Sequence, residues 1–157
     1  VARSGVAPGD LVLDVGAGTG ALTAELLAAG ATVVAVELHP GRRTELRRRF
    51  AGTGLVVVGA DAADLRLPRR PFKVVANPPF GAATGLLRRL VAPGSRLVRA
   101  DLVLPRPLAR SWAGPGAPGR GRWGATFAAQ LGPAVPRRAF RPPPARDPAL
   151  LTLARRR

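Results

Sequence analysis

Five apolar runs, each ending at a polar or glycine-containing turn, constrain this chain more than any other feature. They are Leu11–Val15, Thr32–Glu37, Leu55–Val58, Phe72–Asn77 and Leu97–Leu104. Between them lie stretches of helical composition. Thr19–Ala29 stops at Gly30, Pro40–Phe50 begins on a proline suited to a first helical turn, and Ala82–Val91 is closed by Ala92-Pro93-Gly94. Short runs that are apolar at consecutive positions suit strands covered on both faces, and strands that alternate with helices pair in parallel. Right-handed crossovers then give an α/β fold with an open, mostly parallel, doubly wound sheet flanked by helices.

The last third is less regular. Arg106–Arg122 mixes arginine with glycine and proline and reads as a loop, Trp123–Gln130 reads as a short helix, and Ala149–Leu153 is strand-like before three closing arginines. No internal repeat or linker divides the chain, so residues 1–157 are expected to form one domain.

Composition narrows the function. With 46% hydrophobic residues the chain can build a core, and no apolar run approaches about 18 residues, so no membrane-spanning helix is expected. Pro8, Gly9 and Asp10 stand where the apolar part of a signal peptide would lie. The absence of cysteine excludes disulfides and thiolate metal sites, and a single histidine excludes a histidine-cluster metal site. A cytoplasmic, metal-free protein without membrane attachment is the expectation, and nothing points to an obligate dimer, so a monomer is expected. Twenty-five basic residues oppose nine acidic ones, a formal net charge of +16, and every basic residue except Lys73 is arginine. The joint abundance of Ala, Gly, Pro and Arg is consistent with GC-rich coding. That explains arginine in place of lysine but not the imbalance with acids. Such a charge points to a polyanionic partner, nucleic acid first; a merely basic surface is the plainer alternative.

Asp14-Val15-Gly16-Ala17-Gly18-Thr19-Gly20 joins the first strand to the first helix. Its glycines permit a tight turn and close approach of a ligand, and the helix that follows directs free N–H groups there. No Lys-Ser/Thr follows, so this is not a triphosphate loop, and the third glycine falls one place early for a dinucleotide fingerprint. Glu37 closes the second strand, where a carboxylate can accept both ribose hydroxyls, and Asp61 follows the third, where it can accept from an adenine amine. A solvated strand end for Glu37 and a helix cap for Asp61 are the structural alternatives. The fourth strand halts at Asn77-Pro78-Pro79-Phe80, since prolines cannot continue a buried ladder.

In this order and spacing, Leu11–Gly20, Val33–Glu37, Gly59–Asp61 and Asn77–Phe80 resemble a class I, Rossmann-like S-adenosylmethionine-dependent methyltransferase acting on an exocyclic amine. With Val135–Leu151 ("VPRRAFRPPPARDPALL") added, the chain from about Gly9 to Leu153 is similar to the erythromycin-resistance (Erm) rRNA adenine N6-methyltransferases. The resemblance implies S-adenosylmethionine as cofactor, held by Asp14, Gly16, Gly18, Glu37, Leu38, Asp61, Ala62 and Asn77. It implies Asn77, Pro78 and Phe80 as the catalytic motif and Phe140 as a second aromatic on the target base. An exocyclic adenine amine is a poor nucleophile because its lone pair is delocalised. The Asn77 side-chain oxygen and the Pro78 carbonyl can each accept one of its N–H bonds, and Phe80 can stack on the extruded base. An ordinary proline strand exit, with Phe80 and Phe140 packed in the core, is the structural alternative.

The implied partner is 23S rRNA, with resistance to macrolide, lincosamide and streptogramin B antibiotics as the consequence. Arg42, Arg43, Arg47, Arg88, Arg89, Arg106, Arg110, Arg120 and Arg122 are the candidate RNA contacts. His39 reads as a loop residue with no catalytic part. Family members usually carry a Gln-Asn/His-Phe-Leu element before the first strand and a helical C-terminal RNA-binding domain; neither is expected here, the whole chain being read as the catalytic domain. The small-subunit rRNA dimethyltransferases share the fold and mechanism, though they more often have Leu after the Asn. A DNA adenine methyltransferase would need a target-recognition region, which is not visible, and a non-catalytic RNA-binding scaffold is the reading from another class.

Overall fold

The computed structural model describes residues 1–140 and 143–157; Arg141 and Pro142, inside the distal "FRPPP" element, lie outside the described residues. Five parallel strands run through the first two-thirds: β1 (Leu11–Val15), β2 (Thr32–Val36), β3 (Val56–Val58), β4 (Phe72–Ala76) and β5 (Leu97–Pro105). Helices α1 (Ala21–Ala28), α2 (Pro40–Arg49) and α3 (Phe80–Leu90) connect them, and a short 3-10 turn, Ala62–Asp64, follows β3. Each expected strand and helix of this region is present within a residue or two.

The last third departs from expectation. Arg106–Ala113 is helix α4 and Arg120–Trp123 a single-turn helix α5, within what reads as a loop. Pro107 sits in the first turn of α4, where its missing N–H costs nothing, and Ala109 and Trp112 turn one face into the core. Trp123–Gln130 is not a helix: β6 spans Phe127–Ala134. Pairing with β7 (Pro148–Arg155) overrides the helical propensity of Ala128, Ala129, Gln130 and Leu131. Because β6 is an edge strand with a register shift after Leu131, it tolerates Gly132 and Pro133.

The sheet order is β3-β2-β1-β4-β5-β7-β6, with β7 antiparallel to both neighbours. Side-chain alternation on β1 shows how the sheet is covered. Leu11, Leu13 and Val15 enter a large core shared with Leu86, Leu87 and Leu90 of α3 and Trp112 of α4. Val12 joins Leu26 of α1 and Val33 on the opposite face. Lys73 is used structurally, its ammonium lying 2.6 Å from Asp10 and 2.6 Å from the Gly5 carbonyl. Among the described residues no helix is long and apolar enough to cross a membrane.

Candidate active site

The carboxyl ends of β1, β2 and β4 meet at one cleft of about 310 Å³, lined by Gly16, Glu37, Arg42, Asn77, Pro78 and Phe80, with Phe140 and Pro144 from the segment before β7. Adjacent parallel strand ends diverge towards their connections, which is where open α/β sheets hold ligands. A larger hollow, about 920 Å³, lies at the amino ends of β4 and β5 around Trp112, Trp123 and Arg155. It contains none of the residues that carry the chemistry.

The glycine loop is tied into the sheet. The N–H groups of Gly16 and Ala17 donate to the Val36 carbonyl at 2.8 and 3.2 Å. Gly16 has a φ of 79°, and a Cβ there would stand 2.9 Å from Pro79 Cδ and 3.3 Å from the Asn77 carbonyl oxygen. Glycine is therefore required twice, for its left-handed backbone and for the close approach of the fourth strand's exit.

Glu37 is buried, not a solvated strand end. Its Oε2 accepts from Gly18 N–H and its Oε1 from His39 N–H, both at 2.9 Å. A carboxylate offers about four lone-pair sites, so one on each oxygen remains for a diol. Asp14 is also buried and accepts from the Thr23 hydroxyl at 2.6 Å. Burial pushes its carboxyl up from 3.8 to about 6; the Thr23 hydrogen bond works against this and the neighbouring Glu37 charge adds to it. Asp61 caps the 3-10 turn, accepting from Ala63 N–H at 2.8 Å through Oδ1. The cap and a ligand role are compatible, since Asp61 is exposed and its other oxygen is uncommitted to that bond.

Asn77 is exposed in the cleft, and its side-chain amide joins none of the hydrogen bonds among the described residues. Pro78 is buried, and the first turn of α3 takes the next carbonyl, that of Pro79, which accepts from Ala82 N–H at 3.0 Å. Phe80 opens α3 and is 41% exposed, so it is not a core residue. Phe140 is half-buried and lines the same cleft from the far side. Leu38 is 63% exposed beside Glu37, and Ala62 is buried beneath Asp61. His39 is the N-cap of α2. Thr23, on α1, has no sequence signal linking it to Asp14.

The arginines scatter. Arg42 lines the cleft, Arg88 and Arg122 the larger hollow, and Arg106 and Arg110 a third hollow at the start of α4. Arg43, Arg47, Arg89 and Arg120 bond to backbone carbonyls.

This sheet order, with the glycine turn after β1 and the acidic end of β2 opening on one cleft, defines the class I, Rossmann-like methyltransferase fold. The solved structure of the 23S rRNA methyltransferase ErmE superposes with a TM-score of 0.85 at 28% identity, covering 99% of this chain and 65% of that one. The chain belongs to the ribosomal RNA adenine dimethylase family, which it matches over residues 1–157. It is 34% identical over 147 residues to an rRNA adenine N-6-methyltransferase of Corynebacterium diphtheriae, covering 92% of this chain and 57% of the relative. It is 37% identical over 166 residues to the ribosomal RNA small subunit methyltransferase A of Thermosynechococcus vestitus, covering 98% and 62%. The chain thus spans about three-fifths of the length of these curated relatives.

Proposed function

We propose that this chain transfers a methyl group from S-adenosylmethionine to the N6 amine of an adenine in ribosomal RNA, and that the RNA is 23S. The observation that carries this reading is the meeting at one cleft of Asn77, Pro78 and two aromatic residues, Phe80 and Phe140, with Gly16 and Glu37.

The donor set suits the cofactor. Glu37 has one acceptor position left on each oxygen for the ribose. On this reading Asp61 and the Ala62 N–H would take the adenine edge, with Leu38 beside them, and Asp14, Gly16 and Gly18 the methionine end. The cofactor, when bound, supplies an electrophilic methyl group. The chain's own residues prepare the nucleophile. Asn77 Oδ1 and the Pro78 carbonyl accept the two N6 hydrogens, which holds the amine and favours a pyramidal nitrogen. Phe80 stacks on the extruded base, and Phe140 closes its other side. Positioning supplies most of the catalysis, and the surplus proton leaves to water, so no strong base is needed.

The 23S assignment is supported by the resemblance of the Asn77–Phe80 motif and the element that begins at Phe140 to the Erm enzymes, and by the likeness to the ErmE structure. Resistance to macrolides, lincosamides and streptogramin B would follow. The similarity to a small-subunit methyltransferase at 37% identity keeps 16S rRNA as a second reading. Incubation with radiolabelled S-adenosylmethionine and protein-free 23S or 16S rRNA, followed by nuclease digestion and chromatography of the labelled nucleosides, separates them. Label in N6-methylated adenosine from 23S rRNA is expected. Label in 16S rRNA alone would move the assignment, and unmodified RNA in both would overturn it.

A further inference from the structure

The arginines divide by what their guanidinium groups already do. Arg43 donates to the Leu38 carbonyl at 2.5 Å, Arg47 to Val57 at 3.3 Å, Arg49 to Thr19 at 2.7 Å and Arg120 to Gly114 at 3.1 Å. Arg89 bonds both the Ala63 carbonyl and Asp64. These side chains fasten loops to the framework. Arg106, Arg110, Arg137 and Arg146 do nothing comparable: among the described residues their guanidinium groups make no hydrogen bond or ion pair, and all four are exposed.

These four line one hollow of about 740 Å³, with Ser111 and a single acid, Asp147. They arrive from three segments: the start of α4, the 3-10 turn Arg137–Ala139 and the loop before β7. The Arg106 N–H donates to the Asp147 carbonyl at 2.9 Å, which fixes two of those segments together. The positive end of α4 adds to the field. Four exposed guanidinium groups against one carboxylate make a strongly positive concavity, and their forked donors match phosphate oxygens.

The position of the hollow matters as much as its charge. Pro144 and Pro148 line the Asn77 cleft, while Ala145, Arg146 and Asp147 between them line the hollow. Phe140 belongs to the cleft and Arg137, three residues earlier, to the hollow. A three-residue separation spans at most about 11 Å. One thin wall therefore divides the two sites, and a phosphate one or two nucleotides from a base held in the cleft lies within reach.

We propose that this hollow is a phosphodiester-binding subsite that anchors the RNA strand next to the target adenine. It rests on the reading of the Asn77 cleft as an adenine site and deepens it. It selects Arg106 and Arg110 from the sequence candidates and adds Arg137 and Arg146, which carry no distinguishing signal in the sequence.

The test measures binding of a fluorescent hairpin RNA with one unpaired adenine across a salt series. It compares the wild type with a variant carrying Arg106→Gln, Arg110→Gln, Arg137→Gln and Arg146→Gln. S-adenosylmethionine affinity serves as the control for folding, and the two pairwise variants, Arg106→Gln with Arg110→Gln and Arg137→Gln with Arg146→Gln, stand in if the quadruple variant fails it. The expected result is at least tenfold weaker RNA binding and a slope of log K against log salt shallower by about 0.7 for each phosphate no longer neutralised. Unchanged affinity and slope would overturn the subsite. A second RNA carries neutral methylphosphonate linkages on both sides of the adenine. It should bind the wild type more weakly than the native RNA does and bind the quadruple variant equally well. An equal loss in both proteins would also overturn it. Asn77→Ala removes an acceptor for the target amine but no phosphate contact, so it is expected to leave the salt slope unchanged. A slope that the quadruple variant flattens, with no adenine methylated by the wild type, supports the subsite while counting against the catalytic reading.

Discussion

Gly16 and Pro79 lock the cofactor-side loop to the strand exit: a methyl group on the first would stand 2.9 Å from Cδ of the second. The turn that faces the expected donor and the motif that faces the expected acceptor are thus packed against each other at a left-handed residue. Gly16→Ala would incur the backbone penalty, about 1–2 kcal/mol, together with the collision. Thermal unfolding should show a destabilisation of about 2 kcal/mol or more, and methyl transfer should fall further than stability alone explains, because both halves of the site move.

Glu37 holds the loop as well as any ribose. Glu37→Gln places an amide where one of the two backbone N–H donors now finds a carboxylate oxygen, so two donors face each other. Hydrogen bonds to a charged acceptor are worth about 1.5–3 kcal/mol, which corresponds to roughly a 10–100-fold loss of S-adenosylmethionine affinity by titration calorimetry. Unchanged affinity would remove Glu37 from the cofactor site.

Asp14 makes the site sensitive to pH. Its folded-state value, about 6, lies above its ordinary 3.8, so between these values the folded protein binds more protons than the unfolded chain. Stability from this group therefore falls as pH rises from about 4 to about 6, by about 3 kcal/mol in all. Asp14→Asn should flatten that part of the stability profile in denaturant titrations. A cationic ligand beside Asp14 favours its ionised form, so cofactor affinity should rise between about pH 5 and 7 in the wild type and stay level in the variant.

Phe80 is exposed enough that its removal should hardly affect folding. Stacking on an aromatic ring is worth about 1–3 kcal/mol per base, so Phe80→Ala should raise KM for RNA about 5–100-fold. Phe80→Tyr should restore most of it. A fall in melting temperature without a change in KM would mark Phe80 as a packing residue instead.

Much of the fold and the cleft is legible from residues alone, and the reasons are local. The runs at β1 to β5 are continuous because both faces are covered, so their apolar character survives whatever the helices do. Glu37 stands out because an acid that closes a strand's carboxyl end reaches the cleft in this topology, whereas Asp61 lies three residues beyond β3 as the cap of the 3-10 turn and is not among the residues that line the cleft. α4 carries a helical signal in Leu108, Ala109, Trp112 and Ala113, but neighbouring arginines, glycines and prolines obscure it. β6 carries the wrong signal: Ala128 to Leu131 favour helix, and only pairing with β7 makes them a strand. Which arginines are already bonded is not legible where the partner carbonyl comes from elsewhere in the fold, as with Arg49 and Thr19.

The most direct test of rRNA adenine methylation at the Asn77 cleft is methyl transfer from radiolabelled S-adenosylmethionine to protein-free 23S rRNA, with Asn77→Ala measured alongside the wild type. Label is expected at the N6 of one adenine, and it should vanish in the variant while cofactor and RNA still bind. Equal labelling by the variant, or no labelling by a wild type that binds both cofactor and RNA, would contradict the assignment.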